Sequence, residues 1–474
     1  MMKKLPDLVT SFPEWYQEVI YQAELADQSP VRGSMVIRPY GTALWENIKN
    51  ILDKKIKDTG HQNAIFPLLI PMSFLKKEAE HVEGFAPELA VVTHAGGKEL
   101  DEPYVIRPTS ETIIHYMFAQ WIKSWRDLPM KINQWANVMR WELRPRAFLR
   151  TSEFFWQEGH TAHETAEEAH EEALLMLNQY IDLCEKELAI PIIAGAKSES
   201  EKFAGADKTY TLEGIMQDGK ALQMCTSHLI SQSFAKAFGM QFQDKTGALA
   251  YPYLTSWGAT TRLIGAMVMT HGDNKGLIMP PRVAPIQVVI IPIMKKGADE
   301  QTLLKAAGYL KEGLEKEGIR VRVDADTHET PGSKFYKWEM KGVPIRIEIG
   351  PRDLLAGTVL CKDRLGMSKE SIALNECVVH VTRLLDTIQN ELFKRACARR
   401  DALLKHGELL EEFGNILAKE PGAYITGWCQ DPLCEEKFKP YKATIRCLLK
   451  SKDHKVCCVC HEQSLGDIIL ARAY

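Results

Sequence analysis

Val138-Met139-Arg140-Trp141-Glu142, then Arg144-Pro145-Arg146, then Phe148-Leu149-Arg150-Thr151-Ser152-Glu153-Phe154 is the most telling run of this chain. Two stretches that mix apolar and charged side chains flank a basic, proline-broken centre, which predicts two strands joined by a basic loop. Side-chain alternation along the first strand puts Arg140 and Glu142 on one face. Two other segments share this chemical character. In Gly258-Ala259-Thr260-Thr261-Arg262-Leu263-Ile264-Gly265 a glycine-containing strand end feeds a helix with an arginine in its first turns. Arg107-Pro108-Thr109-Ser110-Glu111 is a polar turn before an apolar helix. Arginines on rigid elements beside glycine and an aromatic suit a nucleoside triphosphate, because guanidinium forks pair bidentately with phosphate oxygens and an aromatic ring stacks a base. Each piece alone is weak, since an Arg-x-Glu pair on a strand is more often a surface ion pair. Neither a P-loop nor a Gly-x-Gly-x-x-Gly fingerprint is present. The chemistry rests on the three segments together.

The 474 residues are 45% hydrophobic and 26% charged, an ordinary globular composition with room for two to four domains. A net charge of −3 argues against a sequence-blind nucleic-acid coat, although a local basic face can still bind RNA. No apolar run reaches the roughly 18 residues a membrane-spanning helix needs. The start, Met1-Met2-Lys3-Lys4-Leu5-Pro6, turns polar at once, so no secretory leader and a cytoplasmic location are expected.

Outward from the central run, Gly41 to Lys57 predicts an amphipathic helix with Leu44, Ile48, Ile51 and Leu52 at helical spacing, leading into a strand-like run from Asn63 to Ile70. Glu164 to Leu188 predicts a long acidic helix whose carboxylates form a solvated face. Pro280-Pro281-Arg282-Val283-Ala284-Pro285 predicts a linker. Beyond it a strand over 287–292, a helix over 300–316 and a strand over 319–323 suggest a small α/β unit with a mostly parallel sheet. The domain expectation is 1–285, 286–383 and 384–474.

Six of the eleven cysteines crowd the last segment. A disulfide framework is not expected in a long chain without a secretory leader. Cys429-x4-Cys434 and Cys457-x2-Cys460 give four thiolates in two chelating pairs, the arrangement a structural, closed zinc site favours. Cys458 adjoins the second pair and could replace Cys457, but the two-residue spacer forms the usual knuckle.

With these motifs in view, the chain resembles the prolyl-tRNA synthetases of the class II aminoacyl-tRNA synthetase family. Residues 41–71 are similar to motif 1, with Pro67 as its interface proline, residues 138–160 to motif 2, and 256–268 to motif 3. Arg107-Pro108-Thr109-Ser110-Glu111, Trp156-Gln157-Glu158-Gly159-His160, Phe203-Ala204-Gly205, Thr226-Ser227-His228 and Ser256-Trp257-Gly258 carry the prolyl character. Thr261 departs from the glutamate many class II members place before the arginine, as prolyl members of this form also do. The resemblance implies an α+β fold: an antiparallel-sheet catalytic domain, an α/β anticodon-binding domain and a small zinc-bearing α/β terminal domain. It implies ATP with Mg²⁺, L-proline, tRNA(Pro), a structural Zn²⁺ and a homodimer, and neither DNA nor membrane as partner. It is closest to the compact archaeal/eukaryotic-like form. Only about 95 residues separate motif 2 from motif 3, too few for an inserted editing domain. Since a missing methylene is worth only about 1–3 kcal/mol in a pocket, alanine is expected to be activated as well.

The resemblance also implies residue roles. Arg140 contacts the α-phosphate and the proline carboxylate, and Arg262 holds the far end of ATP; these two are the catalytic candidates. Phe154 stacks under adenine, with Glu142, Thr151, Gln223 and Thr226 as ATP neighbours. Thr109 and Glu111 receive the secondary ammonium beside His228, Phe203 and Trp156 wall the ring, and Ser256 and Gly258 complete the proline site. Glu339, Arg346 and Arg352 read the two guanines of a proline anticodon, since arginine suits the O6/N7 edge and a carboxylate accepts from N1 and N2. The terminal Tyr474 turns its carboxylate back towards the active site in relatives. His81, His94, His115, His170 and His328 receive no functional role.

Overall fold

The computed structural model describes residues 4–81, 89–294 and 299–474; Met1–Lys3 and the side chain of His81 lie outside them. The amino-terminal helices form where apolar residues recur at helical spacing. In α1 (Phe12–Gln22) Phe12, Trp15, Tyr16, Val19 and Ile20 are buried, and Pro13 sits in the first turn, where it costs no hydrogen bond. In α2 (Pro39–Asp58) Leu44, Ile48, Leu52 and Ile56 are fully buried, each contributing about 1.5–3 kcal/mol. The expected strand from Asn63 to Ile70 is broken into β1 (Gln62–Asn63) and a second piece, Leu69–Pro71, in a different sheet. Pro67 has no N–H for a ladder, and side chains take over its neighbours: Phe66 donates its N–H to Gln134 Oε1 at 2.8 Å, and Arg107 donates to Phe66 O at 2.8 Å.

Among the described residues the central sheet has eleven strands. After α3 (Glu111–Trp121) come β2 (Met130–Met139), β3 (Glu153–His163), α4 (Ala166–Asp182), β4 (Ile193–Ala196), β5 (Lys208–Ile215), β6 (Ala221–Ser231), β7 (Tyr253–Thr260) and α5 (Arg262–His271). The spatial order β4-β5-β6-β7-β3-β2 is antiparallel throughout, and β1 pairs parallel at the outer edge. One face is covered by α4 through Ala169, Ala173, Met176, Leu177 and Tyr180. Its carboxylates are not all solvated: Glu172 points at the sheet, 3% exposed, with His61 Nε2 at 3.1 Å and Lys131 Nζ on its other oxygen. A buried carboxylate persists only when paired in this way.

The second unit is built on β8 (Val288–Pro292), α6 (Glu300–Lys316), β9 (Val321–Val323), α7 (Pro331–Met340), β10 (Ile345–Ile349), β11 (Thr358–Asp363) and β12 (Lys369–Ala373). Its sheet, ordered β9-β8-β10-β11-β12, is mixed rather than mostly parallel. The first two pairings are parallel, but β10, β11 and β12 follow one another antiparallel, because the connections at 350–357 and 364–368 are too short for a crossover. The proline-rich linker is irregular as expected, yet largely buried: Arg320 donates to Ala284 O at 2.7 Å and Pro281 O at 2.9 Å.

α8 (Cys377–Leu403) packs over much of its length on the core of the second unit, and the last unit continues from it with β13 (Leu404–His406), β14 (Ala423–Trp428), β15 (Thr444–Leu448) and β16 (Gly466–Ala471). It does not make a sheet of its own. Its strands continue the catalytic sheet in the order β13-β14-β16-β15-β4, joined at Leu448 opposite Ala196. Gly195 permits the junction, since a Cβ there would stand 2.3 Å from Leu448 O.

Candidate active site

The hairpin β2–β3 supplies the first wall. Arg140 and Glu142 lie just past the end of β2, in the loop, so the alternation expected for them does not apply. Loop hydrogen bonds aim them instead. Arg140 donates its backbone N–H to Ser152 O (2.8 Å) and its Nε–H to Pro108 O (2.8 Å). Glu142 takes its N–H to Ser152 Oγ at 3.1 Å and pairs with Arg150. The Arg140 guanidinium lies 5.6 Å from the ring centres of both Phe154 and Trp156, a cation–π geometry.

From β3 the strand period does govern. Phe154, Trp156, Glu158 and His160 all face one cleft, while Gln157 faces α4, where its side-chain amide lies 2.6 Å from the Tyr180 hydroxyl. Antiparallel register then assembles rows across the sheet. His160, Ser256 and His228 align across β3, β7 and β6, and Glu158, Gly258 and Thr226 form the next row. Opposite these rows, the turn before α3 brings in Thr109 and Glu111, and Thr109 donates its hydroxyl to the Glu111 carboxylate. Arg107 holds this turn in place by donating to Asn137 O at 2.7 Å. Arg262, at the start of α5, donates to Leu149 O and Gln223 O, both at 3.2 Å.

The result is a cleft of about 460 Å³, within the range of small-molecule sites. Every residue expected for the amino acid and nucleotide lines it: Thr109, Glu111, Arg140, Glu142, Thr151, Phe154, Trp156, Phe203, Gln223, Thr226, His228, Ser256, Gly258 and Arg262. Residues given no role from the sequence also line it, among them Glu158 and His160 of the quoted Trp156–His160 run, and Lys197, Glu201 and Thr209. Alternation from Trp156 along β3 was the signal for the first two. Glu158 is 2% exposed and accepts from Ser110 Oγ at 2.5 Å and Gln134 Nε2 at 2.8 Å, with His160 Nε2 at 3.0 Å. Burial opposes charge on both partners, but their hydrogen bond outweighs it, raising the His160 pKa and lowering that of Glu158. His228 goes the other way: burial, with help from charge on His160, pulls its pKa down to about 3. It is neutral at pH 7, with Nδ1 3.0 Å from Thr209 Oγ1. Among the described residues, Ser256 Oγ and Trp156 Nε1 are buried without a protein partner, so a bound molecule can satisfy them.

Behind the cleft, Glu213 on β5 is fully buried. It accepts from Arg446 of the last unit (3.0 and 3.1 Å), from Lys197 (3.0 Å) and from Thr211 (2.9 Å).

The four cysteines Cys429, Cys434, Cys457 and Cys460 gather so that their sulfurs all lie within 4.8 Å of one another. Cys460 and Cys429 are 3.7 Å apart, close to the roughly 3.8 Å edge of a tetrahedron with 2.3 Å metal–sulfur bonds. Cys458 is outside this group, packed in the hydrophobic core of the last unit. The donor set therefore fits zinc.

Of the residues expected to read an anticodon, Glu339 and Arg346 share a shallow depression beside Trp338 and Lys362, and Arg352 lies elsewhere, exposed on the short helix Pro351–Leu355. Arg346 is not a free fork: it bonds Glu348 at 2.7 and 2.9 Å and lies 3.9 Å over the Phe335 ring. Tyr474 donates its hydroxyl to Asp218 Oδ2 at 2.7 Å, with Arg146 of the motif 2 loop 5.9 Å from its ring. His115 is buried among aromatic rings, and His170 stacks on Tyr210.

Comparisons with known proteins agree with this geometry. Residues 92–271 match the tRNA synthetase class II core domain (G, H, P, S and T), and residues 287–384 match the anticodon binding domain. The chain is 51% identical to Proline--tRNA ligase 2 of Clostridioides difficile (strain 630), covering 100% of this chain and 98% of that protein. It is 50% identical to the Proline--tRNA ligase of Acetoanaerobium sticklandii, with the same coverage. The crystal structure of prolyl-tRNA synthetase from Cryptosporidium parvum complexed with halofuginone and AMPPNP superposes with a TM-score of 0.95 at 41% identity, covering 100% of both chains. A second structure of that enzyme, with L-proline and AMP, gives 0.92 at 40%, covering 99% of both chains.

Proposed function

This chain belongs to the prolyl-tRNA synthetase family of class II aminoacyl-tRNA synthetases, and from that premise we propose how its residues carry the reaction. It activates L-proline with ATP to prolyl-adenylate and pyrophosphate, then transfers proline to the 3′ end of tRNA(Pro). The proline carboxylate, already ionised at neutral pH, attacks the α-phosphorus without a dedicated base. Arg140, between the Thr109–Glu111 turn and the Phe154–Trp156 face, neutralises both anions as they approach. Arg262 takes the departing pyrophosphate end, and Phe154 stacks the adenine, with Glu142, Thr151, Gln223 and Thr226 around the nucleotide. The catalytic contribution is positioning and electrostatic stabilisation. Mg²⁺, when bound, supplies further neutralisation at the phosphates.

The secondary ammonium of proline goes to Glu111 and Thr109. His228 is neutral and so adds no repulsion beside it, while Phe203 and Trp156 face the ring. The observation that carries this reading is the convergence of Arg140, Arg262, Glu111 and His228, from separate elements, on a single cleft.

The same reading divides the chain into 1–285 for activation, 286–383 for the anticodon and 384–474 for a structural zinc held by Cys429, Cys434, Cys457 and Cys460. Glu339 and Arg346 are the stronger anticodon readers, and Arg352 extends the footprint. We assign a homodimer across the Pro67 region, where Ile65 is 93% exposed and Leu68, Leu69 and Trp121 are about 40% exposed. A cytoplasmic location fits, and no helix among the described residues is long and apolar enough to cross a membrane.

Amino-acid-dependent ATP–pyrophosphate exchange tests the activity. Strong exchange with proline that Arg140→Ala abolishes supports the assignment; silence with every amino acid, from folded metal-replete protein, overturns it.

A further inference from the structure

The cleft wall that carries Phe203 is a segment without strand structure, Lys197 to Ala206, between β4 and β5. It is bonded to its own sheet at Thr209 and also to the last unit. Ser198 is 1% exposed and donates its hydroxyl to Glu435 Oε1 at 2.8 Å, across 237 positions of sequence. Glu435 follows Cys434 of the four-thiolate cluster, on the short helix Pro432–Glu436, so its place is fixed by that cluster. The Ser198 carbonyl in turn receives the N–H groups of Glu201 (3.1 Å) and Lys202 (3.0 Å), which turns the chain towards the cleft. Phe203 then donates its N–H to Thr209 Oγ1 at 2.8 Å, the same hydroxyl that lies 3.0 Å from His228 Nδ1, and the Phe203 and His228 rings sit 4.7 Å apart. Lys197, at the head of the segment, is held through Glu213, which Arg446 of the last unit also binds.

We propose that Glu435 is a positioning residue for the amino-acid subsite: through Ser198 it fixes the 197–206 segment, and with it the Phe203 wall beside His228. The terminal unit thereby sets proline affinity without touching proline. The inference rests on the assignment of Phe203 and His228 to the proline site. A flexible wall must be ordered on binding, and an anchor that orders it beforehand raises affinity without a new contact to the ligand.

The test is equilibrium titration of the full-length, metal-replete protein with proline, followed by tryptophan fluorescence, with ATP titrated separately. Glu435→Ala and Ser198→Ala are each expected to weaken proline binding about fivefold, with ATP affinity and kcat unchanged. The double variant is expected to be no weaker than Ser198→Ala alone, because Ser198→Ala already removes the Glu435 bond together with the 3.2 Å contact to Ser200 Oγ. Glu435→Gln, whose amide oxygen can accept the same hydrogen bond, is expected to stay near the parent. Phe203→Ala separates the two ideas. If it weakens proline binding while Glu435→Ala and Ser198→Ala do not, the anchor is overturned and the subsite assignment stands. If Phe203→Ala has no effect, the subsite assignment fails and the anchor with it. Equal losses for ATP and proline in Glu435→Ala would indicate general loosening of the fold and also overturn the proposal.

Discussion

Arg446→Met is expected to detach the last unit from the catalytic sheet. Its guanidinium makes two hydrogen bonds, at 3.0 and 3.1 Å, to Glu213, whose side chain is 0% exposed. Methionine keeps much of the stem volume but leaves the carboxylate to Lys197 at 3.0 Å and Thr211 at 2.9 Å. Breaking a buried pair by removing one partner typically costs about 3–5 kcal/mol, and the surviving lysine argues for the low end, about 3 kcal/mol. That loss falls at the seam, where β15 meets β4 at Leu448 opposite Ala196 and Ala221 bonds the backbone of Arg472 and Tyr474. Because the chain has several units, global unfolding need not be two-state, so hydrogen exchange of the β15 and β16 amides is the cleaner assay. A loss of about 3 kcal/mol corresponds to opening that is about 150-fold more frequent. A cycle with Glu213→Gln is expected to return a coupling of at least about 1.5 kcal/mol. Exchange in β15 and β16 that stays within about threefold of the parent would refute the reasoning, because a buried carboxylate stripped of its guanidinium cannot leave the local opening free energy unchanged.

The Glu158–His160 pair should give a pH signature. The raised His160 pKa contributes stability present below about pH 6.5 and lost as pH rises through the raised value, while the lowered Glu158 pKa contributes stability present above about pH 4.3 and lost as pH falls through the depressed value. The melting temperature of Glu158→Gln should therefore lie furthest below the parent between those limits, and the gap should narrow, without closing, as pH rises through the raised His160 value, because Ser110 and Gln134 still bond the carboxylate; a pH-independent gap would sink this. Cys457→Ser is expected to cut zinc content and lower the melting temperature of the last unit, whereas Cys458→Ser, outside the sulfur cluster, should keep full metal by atomic absorption. Equal losses from the two would contradict the cluster geometry. Alanine is expected to support pyrophosphate exchange clearly above background, because a wall of Phe203 and Trp156 can penalise a smaller side chain by only about 1–3 kcal/mol. Alanine-dependent exchange at the level of the blank would show a stricter pocket than this one.

How far the sequence reached is visible in particular residues. Helical spacing in α2 and the limits of α6 were legible because an amphipathic period is a local property. The four cysteines were legible as a chelating set from two short spacers, whereas Glu111 and His228 were marked only by the family resemblance, and the structure brings them with Arg140 and Arg262 to one cleft. Where the reading failed, contacts from elsewhere in the chain had overruled local pattern. Arg140 and Glu142 left the strand because Pro108 O and the Ser152 hydroxyl offered bonds that a ladder would not. The run through Pro67 broke because Arg107 and Gln134 captured its backbone. Glu172 turned inward because His61 and Lys131 were there to meet it. Glu158 and His160 could have been found by counting twos from Trp156, but which face of β3 looked into a cleft was a matter of β6 and β7 lying alongside. Sequence by itself determined the chemistry available to this protein, because residue type and short spacing fix what a group can bind. Only the tertiary structure decided that Ser198 meets Glu435, that Glu213 meets Arg446, and that Cys457 rather than Cys458 joins the thiolates, because each depends on register and packing between segments that no local period encodes.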